Sequence, residues 1–125
     1  MYRTILLIDD DPDDLEFLQQ AIASLRPDIL LQTAGNRSQV LELLENLQII
    51  PDLIFLDFHM PGVIGTELLQ KIKTSGATQH IALVLYSTHP KEVMWQIAGA
   101  FEPEYCLQKP SSYNELINAL KEIIC

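Results

Sequence analysis

The sequence predicts an α/β fold, a doubly wound parallel sheet of five strands alternating with five helices. Short, continuous apolar runs recur along the chain, as strands buried on both faces require. Longer stretches lie between them, with apolar residues returning at helical spacing. Four of the runs also end in chemically distinctive residues: Asp9-Asp10, Asp57, Ser87-Thr88 and Lys109-Pro110. Strands that alternate with helices make a parallel sheet covered on both faces. Such sheets bind their ligands at the carboxyl ends of the strands.

Ile5 to Ile8 is the first run, closed by Asp9-Asp10-Asp11-Pro12-Asp13-Asp14. Leu15, Leu18, Ala21, Ile22 and Leu25 mark a first helix after Pro12, whose missing N–H costs nothing in a first turn. Acids there complement the helix dipole, which gives Asp11, Asp13 and Asp14 a solvated first-turn role. Asp9 and Asp10, at the strand end itself, are left unexplained. Ile29 to Thr33 is expected as the second strand, set off by Pro27-Asp28. Gly35-Asn36 supplies turn and cap, and Val40, Leu41, Leu44 and Leu47 the stripe of a second helix.

Pro51-Asp52 leads into Leu53-Ile54-Phe55-Leu56-Asp57, an apolar run ending in an acid, with Phe58, His59 and a Met60-Pro61-Gly62 turn after it. Leu68, Leu69 and Ile72 mark a third helix ending near Ser75-Gly76. The fourth strand is expected from His80 to Tyr86, terminating in Ser87-Thr88-His89-Pro90. A fourth helix starts at Pro90 and runs toward Ala98, with Gly99 as its stop. Tyr105-Cys106-Leu107 is a brief fifth strand before Gln108-Lys109-Pro110. Ser112 and Glu115 form a capping box, and Leu116, Leu120 and Ile123 build the inward stripe of the last helix.

The 125 residues suit one domain, and 48% hydrophobic content supplies a core. Eight basic residues against 17 acidic ones leave a net charge of -9, which repels a phosphate backbone and argues against direct nucleic-acid binding. No apolar run approaches a membrane span, and the first is too short for a signal-peptide core. Cys106 and Cys125 form neither a close metal-type pair nor a disulfide framework. The expectation is a cytoplasmic protein of one domain over residues 1–125, with no output domain after Cys125.

In a parallel sheet the four distinctive strand ends share one edge. Three crowded carboxylates, Asp9, Asp10 and Asp57, repel one another unless a cation joins them. A hard divalent ion with oxygen ligands, Mg²⁺ or Mn²⁺, answers that need. Lys109 adds a point charge suited to phosphate or carboxylate, and Ser87 a hydroxyl that can donate to a phosphate oxygen. Singly, Lys109 reads as a solvated lysine, Ser87-Thr88 as a cap and Asp57 as a turn acid. Together the parts point to phosphoryl chemistry on a carboxylate nucleophile.

From Ile5 to Ile123 the chain resembles the receiver domain of two-component response regulators. The resemblance rests on the acid pair after the first strand, Leu56-Asp57-Phe58-His59-Met60-Pro61-Gly62 with Gly65, the hydroxyl after the fourth strand, and Lys109-Pro110 after the fifth. It implies a flavodoxin-like sheet in the order 2-1-3-4-5, for which receivers are a standard example. It implies Asp57 as phosphoacceptor, with Asp9, Asp10, Asp57 and the main-chain carbonyl of His59 holding the metal. Ser87, and beside it Thr88, would serve the switch, Lys109 would contact Asp57 and the phosphate, and the Lys109–Pro110 peptide bond would be cis. The donor would be the phosphohistidine of a sensor histidine kinase or phosphotransfer protein. Output would pass by contact with a further protein, and phosphorylation-dependent homodimerisation is left open.

Three departures stand out. Many receivers carry an aromatic ring three positions before the lysine, where this chain has Cys106; its aromatic is Tyr105, which an alternating strand points to the other side. His59 and His89 sit two residues after Asp57 and Ser87, where surface histidines are the simpler account. No output domain is expected after Cys125, so output is expected to pass through contact with another protein. Two other readings compete: a receiver-like module never phosphorylated, and a Mg²⁺-dependent aspartyl phosphatase. The first is at odds with intact Asp9, Asp10, Asp57, Ser87 and Lys109. The second lacks the carboxylate two residues after Asp57 that turnover of an external substrate needs.

Overall fold

The computed structural model describes residues 2–46, 48–58 and 65–125, with the backbone alone at 65 and 66. Its elements run β1 (Thr4–Ile8), α1 (Pro12–Leu25), β2 (Leu30–Ala34), α2 (Arg37–Glu45), β3 (Leu53–Asp57), α3 (Gly65–Thr74), β4 (Ala82–Ser87), α4 (Lys91–Ala98), a 3-10 turn (Gly99–Phe101), β5 (Tyr105–Gln108) and α5 (Tyr113–Ile124). The strands form one parallel sheet in the order β2-β1-β3-β4-β5, so the predicted class and strand order hold.

Successive side chains of a strand point to opposite faces, and the two cores follow that alternation. Leu6, Ile8, Ile54, Leu56, Leu83 and Leu85 pack with Val40 of α2, Leu68, Leu69 and Ile72 of α3, and Met94 and Ala98 of α4. Ile5, Leu7, Leu53, Phe55, Val84 and Tyr86 pack with Leu18, Ala21 and Ile22 of α1 and Leu116, Leu120 and Ile124 of α5. β1 and β3 are buried along their whole length because each has a neighbour on both sides and a helix layer on both faces. β2, at the edge, leaves Leu30 48% exposed.

Several expectations shift. β2 begins and ends one residue later than expected, and β4 runs two residues later at its start and through Ser87, so the switch hydroxyl lies inside the ladder. α4 ends at Ala98 with Gly99 as its C-cap, as expected, but Gly99 is right-handed at φ −60° and opens the 3-10 turn, and the left-handed residue is Glu102 at φ 54°. Ile124 is buried where Ile123 is half-buried, as α5 turns its stripe by one residue. The capping box is split, since Ser112 Oγ accepts from Glu115 N but Glu115 Oε2 accepts from Ser111 N. The Lys109–Pro110 bond is trans, as are all peptides among the described residues; trans is the favoured isomer of an X–Pro bond, and from it Lys109 still reaches the site. Leu47, the Met60-Pro61-Gly62 turn and the His59 carbonyl lie outside the described residues.

Candidate functional site

β1, β3 and β5 are each fixed at the carboxyl edge by one further ladder bond. Asp9 N donates to Ala34 O (3.1 Å), Phe58 N to Tyr86 O (3.4 Å) and Lys109 N to Ser87 O (2.7 Å). The residues immediately before or at those donors, Ile8, Asp57 and Gln108, are already in the sheet. Strand register therefore decides which side chains meet, and the loops only have to leave room for them. Asp9, Asp57 and Ser87 are 2%, 4% and 0% exposed, while Asp10 faces solvent.

Five acids in the β1–α1 segment divide the work. Asp9 is buried, its Oδ1 accepting from Asp11 N (3.0 Å). Asp10 joins Asp9 and Asp57 in a cluster whose carboxylate oxygens, one from each, lie within 4.8 Å of one another. Asp11 is the N-cap of α1, accepting from Asp13 N (2.9 Å) and Asp14 N (3.4 Å), with Pro12 following in the first turn. Asp13 is exposed. Asp14 turns toward the site, so the solvated first-turn role holds only for Asp13.

Lys109 ties the edge together. Its Nζ donates to Asp14 Oδ2 (2.8 Å), Asp9 Oδ2 (3.0 Å) and Asp57 Oδ2 (3.4 Å), and its side chain is 13% exposed. The ammonium also stands 5.1 Å from the centre of the Tyr86 ring, a cation–π distance. Tyr86 is braced from below by an edge-on contact with Phe55 at 6.4 Å. Burial works to lower the lysine's pKa, but the hydrogen bonds to Asp14 and Asp9 and the charge of Asp57 outweigh it and hold it above the usual value. Burial pushes the Asp9 carboxyl up to about 6, with Asp57 adding to the rise and the Asp11 N–H and Lys109 opposing it. Burial likewise pushes the Tyr86 phenol up to about 12.

Among the described residues, Lys109 faces Asp9, Asp14 and Asp57, while Asp9, Asp10 and Asp57 crowd their carboxylates together. The donor set is entirely carboxylate oxygen, the chemistry of a hard divalent ion such as Mg²⁺ or Mn²⁺. The residues fit that group.

At the other strand ends, Ser87 Oγ accepts from His89 N (3.2 Å). Thr88 is exposed, and its carbonyl accepts from Gln108 Nε2 (3.3 Å). Cys106 is 7% exposed and packs on the α4 side of the sheet with Met94 and Ala98, whereas Tyr105 is 38% exposed. The two therefore point apart, as strand alternation required. Both cysteines are free.

Sequence reasoning missed Asp14 and Tyr86. A signal existed for each: Asp14 is four residues before the buried Leu18 and eight before the buried Ile22, on the inward stripe of α1, and Tyr86 shares its face of β4 with Val84.

Comparison with known proteins gives this geometry a context. Residues 5–121 match the family model of the response regulator receiver domain. The nitrate/nitrite response regulator protein NarL of Escherichia coli strain K12 is 41% identical over 92 residues, covering 73% of this chain and 41% of NarL. The chain thus spans less than half the length of that relative. Among solved structures, the phosphorylated cyanobacterial phytochrome response regulator RcpA superposes with a TM-score of 0.86 at 23% identity, covering 98% of this chain and 91% of that one. The Mn²⁺-bound form of response regulator Rcp1 superposes with a TM-score of 0.79 at 23% identity, covering 97% and 91%. Likeness at that identity establishes the fold. No helix among the described residues is long and apolar enough to cross a membrane.

Proposed function

This chain belongs to the response regulator receiver domain family, and we propose that within it Asp57 accepts a phosphoryl group from a phosphohistidine donor and passes the event on through altered protein contacts. The observation that carries the reading is the meeting of Asp57, Asp9 and Lys109 at one buried edge, with Lys109 Nζ bonded to both acids. An Asp57 carboxylate oxygen attacks phosphorus. The O–P bond forms as the donor's P–N bond breaks, and the imidazole nitrogen leaves with the electron pair.

Asp9, Asp10 and Asp57 would hold Mg²⁺ or Mn²⁺, and a bound ion would neutralise charge on the carboxylates and phosphoryl oxygens. The His59 carbonyl remains a proposed further ligand, from the resemblance alone. Lys109 supplies positive charge without taking part in proton transfer, since its pKa lies above the usual range. Ser87 Oγ uses an acceptor site for His89 N and keeps its O–H to donate to a phosphoryl oxygen. Chemistry ends with the chain's own phosphoryl gain and loss. For output, α4 and β5 expose Trp95, Ile97 and Tyr105 by 44%, 50% and 38%, an apolar surface suited to a downstream protein.

Incubation with acetyl phosphate tests this. Wild type is expected to gain one phosphoryl group by intact mass, in a Mg²⁺-dependent manner, and Asp57→Asn none. Equal gain by both proteins would refute the assignment.

A further inference from the structure

The shortest bond made by the Lys109 ammonium is to Asp14, and Asp14 is neither the proposed acceptor nor a member of the carboxylate cluster that fits a cation. Nζ lies 2.8 Å from Asp14 Oδ2 but 3.4 Å from Asp57 Oδ2. Asp14 is aimed there by its helix. It stands on the inward stripe of α1 above Leu18 and Ile22, its backbone N–H held by the Asp11 cap. Its side chain is 38% exposed against 3% for Asp9, so placing a carboxylate there costs less desolvation than at Asp9. The Tyr86 ring covers the ammonium from another side. The lysine is thus held in a cradle, and one wall of it is a carboxylate with no part in the transfer itself.

We propose that Asp14 is a positioning residue that holds Lys109 in competition with the reacting edge, and so limits how much of the ammonium's charge reaches a phosphoryl group on Asp57. The inference rests on the function proposed above. In the resting site Asp14 shares the ammonium with Asp9 and Asp57. When Asp57 becomes an acyl phosphate, the phosphoryl oxygens enter the competition, and each hydrogen bond they gain from Lys109 weakens one to Asp14. Removing the Asp14 charge releases the lysine to the edge. An anion on Asp57 is then held more tightly, while a cation among Asp9, Asp10 and Asp57 meets a nearer ammonium and is held less tightly. The covalent step is unchanged: with acetyl phosphate the Asp57 O–P bond forms and the donor's P–O bond breaks, the electron pair leaving on acetate.

The test uses Asp14→Asn, with Asp13→Asn as a control that removes the same charge from an exposed neighbour. Beryllofluoride, a phosphoryl mimic, is titrated at saturating Mg²⁺, and Mg²⁺ is titrated alone. Asp14→Asn is expected to bind beryllofluoride about three- to tenfold tighter and Mg²⁺ severalfold weaker, less than one whole charge-assisted hydrogen bond because three acids share the ammonium. Acetyl phosphate labelling should accelerate in step. Asp14→Glu should return values close to wild type. A loss of structure would weaken both ligands together, and a bulk charge effect would appear equally in Asp13→Asn; either result overturns the proposal. In a Lys109→Ala background the Asp14→Asn effect should vanish, and its persistence there also overturns it. A wild type that is labelled on Asp57 but insensitive to Asp14 refutes this inference alone. A wild type that takes no label refutes the proposed function and this inference with it.

Discussion

Asp52 and Asp57 flank the same strand, one just before β3 and the other at its end, and their surroundings differ in each respect that governs a carboxylate. Asp52 is exposed, and its Oδ2 accepts from two backbone N–H groups, Arg3 (2.8 Å) and Thr4 (3.0 Å). Those bonds staple the entry of β1 to the entry of β3. At the same end, Arg26 joins the layers, donating to Asp28, to Ile124 O (3.0 Å) and to Tyr2 O (3.3 Å). Asp52 and Arg26 thus each find partners at the amino edge itself. Asp57 is 4% exposed and shares one ammonium with two other carboxylates. The amino edge uses its acids to hold strands together, whereas at the carboxyl edge, among the described residues, three carboxylates crowd onto one ammonium. That crowding makes the second edge a site and leaves the first a staple.

The contrast can be broken most severely at Lys109. Lys109→Ala leaves Asp9 and Asp57 buried without their common cation, and such a loss costs about 3–5 kcal/mol when one partner of a buried pair is removed. Denaturant unfolding without metal should show that loss, and Mg²⁺ should recover a larger share of stability in the variant than in wild type. No comparable metal response is expected from Asp52→Ala.

Protonation sharpens it next. Asp9 titrates at about 6 in the folded protein because burial penalises its charge, against the ordinary carboxylate value of about 4 in the unfolded chain. Between those values the folded form holds a proton the unfolded chain has released. The Asp9 contribution is therefore fully present below about pH 4 and is lost as pH rises through about 6, by at most about 3 kcal/mol. Metal-free protein should lose stability across that window, and saturating Mg²⁺ should flatten the profile because it favours the carboxylate. Asp9→Asn should remove the slope.

At the amino edge, Asp52→Ala removes two charge-assisted bonds to backbone N–H groups and should cost about 2 kcal/mol, read as a lower midpoint in urea with phosphoryl labelling unchanged. The smallest effect concerns Cys106. A ring at this buried position meets Met94 and Ala98, so Cys106→Tyr should alter hydrogen exchange in 87–94 on beryllofluoride binding while Mg²⁺ affinity stays the same. An unchanged exchange pattern would show that this position does not gate α4.

Legibility in the sequence followed the same division. The sheet was readable because strands buried on both faces leave continuous apolar runs, and the helices because Leu18, Ile22, Leu68, Leu69 and Leu116 recur at helical spacing. Asp9, Asp57, Ser87 and Lys109 were readable because strand order brings strand ends together whatever the side chains do. Less legible was the way neighbouring acids divide their roles. Asp11, Asp13 and Asp14 look alike in sequence, yet Asp11 caps α1, Asp13 meets water and Asp14 holds Lys109; the helix phase separates them. Boundaries slipped where packing overrides local pattern, as at Ser87, drawn into β4 opposite Gln108. The cis Lys109–Pro110 bond, inferred from the resemblance, is trans.

The acids at the two ends of β3, Asp52 just before it and Asp57 at its close, can be compared in one labelling experiment. Wild type, Asp52→Asn and Asp57→Asn are incubated with acetyl phosphate and Mg²⁺, and the labelled residue is located by peptide mapping after reductive trapping of the acyl phosphate. The expected result is a single label on Asp57 in wild type and Asp52→Asn, lost on chelation of the metal, and no label in Asp57→Asn. A label on Ser87 or Thr88, or one that survives Asp57→Asn, would contradict the account.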